Sequence, residues 1–255
     1  MQITTNDSFA SRRGLIGRWS TILGFVVLIV GMYVSLQQPQ RLTSNSLELT
    51  LFVPWITLFL GIILLNVGKY HSSRWGTNPR VDRALARALK GLNDRYHLFN
   101  FISGLPAEHV LVTPQGVIVL EPRPFIGEVL HEGDRWRRPI NLQGLIQRFA
   151  DGGIGNPTRE ALKSAADLQN TLRERLGDDV GGSIMVFPII VMTNDRVKLQ
   201  MSDPDVPVVK LADIRGGVRQ LKDGHKLTAD VHRQLVRALQ PDSSDNALST
   251  TRSNT

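Results

Sequence analysis

Two stretches without a single charged residue decide what this chain can fold into. The first is STILGFVVLIVGMYVSL at 20–36, inside a gap without charge that runs from Arg18 to Arg41. The second is LTLFVPWITLFLGIILLNV, from Leu49 to Val67. A helix that crosses the hydrocarbon of a bilayer needs about 20 mainly apolar residues, and both stretches supply that length. Neither keeps the polar face that a surface helix of a soluble protein would show. Pro54 and Gly61 lie within the second stretch, where a bilayer helix tolerates them. Trp19, Tyr33, Trp55 and Tyr70 stand near or within the ends of the stretches, where aromatic belts form at the membrane interface. The expectation is a membrane anchor over residues 1–80 with two spans, at about 20–36 and 49–67.

Charge supplies an orientation. Arg12, Arg13 and Arg18 precede the first span, Lys69, Arg74 and Arg80 follow the second, and only Arg41 lies between them. By the positive-inside rule both flanks, both termini and everything after the second span belong in the cytoplasm, with the lipid bilayer as partner. A cleaved signal peptide is the alternative for the first stretch, but VSLQQPQR offers no clear small-x-small cleavage motif. The formal net charge of +7 also points to the flanks. Residues 1–80 hold seven of the 30 Lys and Arg but two of the 23 Asp and Glu, so +5 of the excess lies there. The remainder, at +2, has no strong global footprint for phosphate. The chain has no cysteine, which excludes a disulfide framework, thiolate metal sites and a cysteine nucleophile.

Past a polar linker, helical spacing starts near Val81 and puts Leu85, Ala88, Leu89 and Leu92 on one face. A strand follows over 96–102. EHVLVTP and GVIVLEP then form a strand pair across Pro114-Gln115-Gly116. GEVLHEGDRWRR reads as a further hairpin turning at Glu132-Gly133-Asp134. Asn156-Pro157 opens a helix that carries Ala161, Leu162, Ala165, Leu168 and Leu172 inward. Gly177 to Gly182 reads as a loop, SIMVFPIIVMT as a buried strand and VPVVKL as a shorter one. Two helices close the series, near 211–221 and 228–239. The order implies a mixed α/β domain over 81–240 with helices covering a central sheet, and a polar, disordered tail over 241–255.

The pieces VDRALARALKGL, EHVLVTPQGVIVLEPR, GEVLHEGDRW and NPTREA, in this order and spacing, resemble the nuclease-related domain, a branch of the PD-(D/E)xK nuclease superfamily. The resemblance covers roughly 81–195. It implies a restriction-endonuclease-like mixed sheet flanked by helices, here preceded by a transmembrane hairpin. It also implies magnesium-dependent phosphodiester hydrolysis on DNA or RNA. In such a site carboxylates at strand ends hold a hard divalent cation, which polarises the phosphoryl oxygen and generates a hydroxide, while a lysine steadies the developing charge. Carried over residue by residue, Glu108 and Glu121 are the metal carboxylates, with the Pro122 carbonyl as a further metal ligand. Asp82 takes the place of the helix glutamate, Arg123 that of the lysine, and Glu160 that of a glutamine. Arg123 departs most from the family's pattern, because a guanidinium does not shed a proton at neutral pH. Pro122 also deletes a ladder donor from a strand expected to be central.

Plainer roles exist for each of these residues. Glu121 and Arg123 also fit an exposed pair at a strand end, Glu108 a solvated strand start, and Asp82 a first-turn helix acid. His109 fits a packed histidine and Trp136 the core of its hairpin. Arg135, Arg137 and Arg138 form the dense basic cluster near the site, suited either to phosphate contact or to a solvated face. Three functions therefore stand open. One is a membrane-anchored metal-dependent nuclease with a degenerate site. Another is a catalytically inactive domain that binds nucleic acid or protein at the cytoplasmic membrane face. The third is a structural membrane protein that keeps only the fold.

Overall fold

The computed structural model describes residues 1–37, 47–75, 80–132, 135–139, 154–220, 226–240 and 248–252. The Gly133-Asp134 turn, the Arg41 loop and most of the tail lie outside the described residues. Two compact units emerge: Ser8–Arg80, and Met1–Asp7 together with Val81–Thr255. The second unit thus includes residues on both sides of the first.

Ser8–Arg80 is built on α1 (Asp7–Gln37) and α2 (Leu47–Trp75). Both contain segments long and apolar enough to cross a membrane, Asp7–Leu36 and Phe52–Ser72. Their large apolar side chains point outward: Ile29, Phe59 and Ile63 are all exposed. Glycine forms the contact between them. A Cβ on Gly17 would fall 2.8 Å from the Ser72 nitrogen, on Gly24 3.0 Å from Leu65 Cγ, and on Gly61 2.5 Å from Leu28 Cγ. Gly31 meets Thr57 in the same way. As α1 numbers rise the α2 numbers fall, so the helices run antiparallel. Close backbone approach through small residues is how helices associate where lipid removes the hydrophobic drive. Pro54 stays within α2, and the Thr57 hydroxyl donates to the carbonyls of Val53 (2.9 Å) and Pro54 (3.0 Å).

The other unit is a mixed sheet with helices on both faces. Its strands are β1 (Gln2–Asn6), β2 (His97–Asn100), β3 (His109–Thr113), β4 (Gly116–Arg123), β7 (Val186–Met192), β9 (Val208–Lys210) and β10 (Leu248–Arg252). Their spatial order is β10-β1-β2-β3-β4-β7-β9. β3 and β4 pair antiparallel as the sequence predicts, with Val110 opposite Val119. β4 runs parallel to β7, and β7 to β9. Gly116 makes the β4–β7 approach possible. Its φ is +153°, and a Cβ there would sit 2.5 Å from the Met185 carbonyl oxygen, which accepts from Val117 N–H at 2.9 Å.

Alternation along the strands fills two cores. One face presents Phe99, Val110, Val112, Val117 and Val119 to α4 (Pro157–Leu176) and α7 (Ala229–Leu239). The other presents Leu98, Leu111, Ile118 and Leu120 to α3 (Val81–Ala88) and α6 (Ile214–Gln220). The expected inward faces of both predicted helices therefore pack on the sheet, with one exception: Leu162 is 47% exposed. A second sheet, in the order β6-β5-β8, joins β5 (Gly127–Glu132), β6 (Arg135–Arg137) and β8 (Val197–Ser202). It shares a third core in which Phe125, Val129 and Trp136 meet Ala161 and Ile190.

Three elements differ from the sequence expectation. Asp178–Ser183 is a short helix, α5, where glycines suggested a loop. Leu248–Arg252 is a strand within a tail expected to be disordered, because β1 offers it an edge to pair with. Met1–Asp7 belongs to the α/β unit rather than to the helical unit, since β1 lies parallel to β2.

Candidate functional site

The candidate site lies where β4 ends. Residues two apart on a strand share a face, so Glu121 and Arg123 follow Val117 and Val119 toward α4. That helix starts from a built cap. Asn156 Oδ1 accepts from Arg159 N–H at 3.0 Å and Pro157 fills the first turn, which fixes Glu160 in the first turn, where the helix dipole favours an acid. Gly155 precedes the cap at φ +66°, and a Cβ there would come within 3.1 Å of Glu160 Oε1. The β6 side is tied to the same turn: Trp136 Nε1–H donates to Thr158 Oγ1 at 2.8 Å, both buried.

Arg123 joins the pieces. Its Nη2 donates to Glu121 Oε1 at 2.9 Å and to Glu160 Oε2 at 2.5 Å. Its side chain is 12% exposed, against 20% for Glu121 and 46% for Glu160. One guanidinium thus links two carboxylates, and its buried Nε finds no acceptor. The positive charge stands where a cation between those carboxylates would stand.

Pro122 does not break the strand. β4 continues through it, with Pro122 opposite Val191 and Arg123 opposite Met192 on β7. Val117 N–H donates to Met185 O and Arg123 O accepts from Thr193 N–H, both toward β7. Alternation then turns the Pro122 nitrogen to the β3 side, beyond the point at which β3 begins at His109. The missing donor falls where the ladder has already ended, a position a proline can occupy.

The remaining predicted residues are placed separately. Glu108 stands just ahead of β3, half-buried, its carbonyl accepting from Phe101 N–H at 2.8 Å. Extending the β3–β4 register by two places sets it across from Glu121. Asp82 is buried in the first turn of α3, which covers the sheet face opposite to the one Glu121 and Arg123 point to. Among the described residues, no group of three or more His, Asp or Glu is arranged to hold a metal ion. Asp82, Glu108 and Glu121 therefore form no such group here. In the basic cluster, Arg135 and Arg137 are exposed on one face of β6 with Trp136 on the other. Arg138 is buried, its guanidinium 5.8 Å from the centre of the Phe125 ring. Only Arg135 and Arg137 of the three present an exposed cation.

A second polar constellation crosses β1, β2 and β3 one residue along from Glu108. His109 Nδ1 lies 2.8 Å from Asn100 Oδ1, and Asn100 Nδ2 donates to Thr5 Oγ1 at 3.1 Å. Because the Asn100 amide nitrogen faces Thr5, its oxygen must accept from His109. On the opposite face of the sheet, Thr4 Oγ1 and His97 Nε2 lie 2.8 Å apart and His97 stacks on Phe99. Burial, then the charges of His232 and the Met1 ammonium, lower the His97 pKa to about 4. The packed role considered for His109 agrees with its burial. The row itself was not foreseen; its one signal is the β-branched run Ile3-Thr4-Thr5.

Comparison with protein-family models, with curated proteins and with solved structures finds no match to this chain.

Proposed function

We propose that the chain is a membrane-anchored, nuclease-related domain of restriction-endonuclease-like fold that has lost hydrolysis and binds nucleic acid at the cytoplasmic membrane face. The observation that carries this reading is the Arg123 bridge between Glu121 and Glu160. A nuclease site of this type needs carboxylates open to a divalent cation, and here the Arg123 guanidinium occupies Glu121, one of the two implied metal carboxylates, and ties it to Glu160. The exposed pair Arg135 and Arg137, two residues apart on one strand face, supplies the contact to phosphate. The Arg and Lys flanks of two helices long enough to span a bilayer support the cytoplasmic placement.

The test uses the full chain in detergent or vesicles with magnesium or manganese. Wild type should bind labelled single- or double-stranded nucleic acid without cleaving it. Arg135→Ser combined with Arg137→Ser should weaken binding for all sequences and flatten its salt dependence. Metal-dependent cleavage by wild type that disappears in Glu121→Ala would restore the nuclease reading. Absence of nucleic-acid binding at low salt would leave the domain to a protein partner.

A further inference from the structure

Strand β1 is supplied from ahead of the hairpin, yet it lies inside the sheet of the domain that follows the hairpin. It runs parallel to β2 from Gln2 opposite His97 to Thr5 opposite Asn100, and Gln2 N–H donates to Tyr96 O at 2.9 Å. Thr4, Thr5 and Asn6 are buried. Ile3 packs on the core that holds Leu98 and Leu111. Two side-chain bonds fix the register: Thr4 with His97, and Thr5 with Asn100, which in turn holds His109. Remove β1 and Asn100 and His97 lose buried partners, while β2 becomes an open edge with unpaired N–H and C=O groups. No spacer lies between this strand and the hairpin, because β1 ends at Asn6 and α1 begins at Asp7.

We propose that β1 is an intramolecular strap. The slot beside β2 accepts residues 2–6 of the same chain, and this forces both ends of the hairpin onto one face of the membrane. The proposal rests on the anchor reading for its membrane part and on the strand pairing for its structural part. A chain inserted with residues 2–6 across the bilayer from the domain is left with an incomplete sheet. Insertion of both spans is then checked by folding, while the Arg12, Arg13 and Arg18 charges set which face the ends occupy. The occupant is the chain's own segment, because its side chains match the slot donor for acceptor.

The chain has no cysteine, so introduced thiols are its only ones. Neighbouring strands lie about 4.8 Å apart, within the Cα range of a disulfide. Thr5→Cys with Asn100→Cys, in the full chain in native membranes, should cross-link under mild oxidant to a monomeric species that reductant reverses. Gln2→Cys with His97→Cys gives a second in-register pair should the first disturb folding. The off-register pair Gln2→Cys with Asn100→Cys should yield at least about tenfold less product. Lack of a monomeric cross-link from both in-register pairs overturns the strap, as do cross-links formed only between two copies. In the same membranes, the single variants Ser11→Cys and Ser202→Cys should be reached by an impermeant maleimide from the same side. Labelling from opposite sides also overturns the proposal. If alkaline carbonate strips the chain from the membrane, the anchor reading and the same-face consequence both fall, while the gel alone decides the strand pairing.

Discussion

In the α/β unit Leu168, Leu172 and Leu239 have no exposed surface, whereas in the helical hairpin Leu15, Leu23 and Leu36 expose 54%, 52% and 72%. The contacts are reversed as well. Large side chains meet across the sheet and its helices, while between α1 and α2 a glycine on one side meets Leu28, Thr57, Leu65 or Ser72 on the other. The same leucine does opposite jobs because the two regions are built for different surroundings. Water drives apolar surface inward at about 25 cal/mol per Å². Lipid would exert no such drive, and helices long and apolar enough to cross a membrane would hold together there by close fit. What counts as damage should therefore invert between the regions.

The largest effect is expected from shrinking a domain side chain. Leu168→Ala empties a fully buried position between α4 and the sheet and should lower stability by about 2–5 kcal/mol, measured by denaturant titration of the purified chain. Next comes acid. His97 is held neutral to about pH 4 in the folded domain, against an ordinary value of 6.5. Between these values the unfolded chain binds a proton that the folded one does not. Stability should therefore fall as pH drops from about 6.5 toward 4, by at most about 3 kcal/mol. Thermal melts at stepped pH would show this, and His97→Gln should flatten the slope. The hairpin should respond to enlargement instead. Gly61→Leu drives a side chain into Leu28 and the Gly24 carbonyl and should cost about 1–3 kcal/mol, read by SDS titration in mixed micelles. The smallest effect is Leu23→Ala, which removes outward-facing surface and should change hairpin packing by no more than about 0.5 kcal/mol. A loss at Leu23 as large as that at Leu168 would erase the contrast between the regions.

Much of this division was legible from residue order. The two uncharged stretches located helices long enough to span a membrane, and the leucine spacing from Val81 placed α3 on the sheet. The strand pair around Gly116 was visible because Gly, Pro and a β-branched run mark a turn and its flanks locally. The second sheet was only half visible. The β5–β6 hairpin is local, but β8 joins β5 from 70 residues further on, and no local pattern reports such a partner. β1 escaped for the same reason: five residues beside a basic helix start carry little periodicity until β2 is known. Leu162 lies one position off the stripe that Ala161, Ala165, Leu168 and Leu172 keep, and helical spacing alone did not separate it from them. At the site, Glu121, Arg123 and Glu160 were each picked out, but their union was not. Sequence spacing placed acids near a strand end without saying that one arginine would hold two of them.

The seven-residue spacing of Gly17, Gly24 and Gly31 constrains how the hairpin is wound. A straight α-helix rotates a strict seven-residue repeat by about 20° per heptad, so across two heptads the seam would wander by about 40°. All three glycines abut α2, and a seven-residue repeat of contacts favours a left-handed coil of two helices. The pair is thus phased along its length, like two threads cut to one pitch. Inserting a single residue between Gly24 and Gly31 would swing Gly31 by about 100° and point a side chain at Thr57, which Gly31 now abuts.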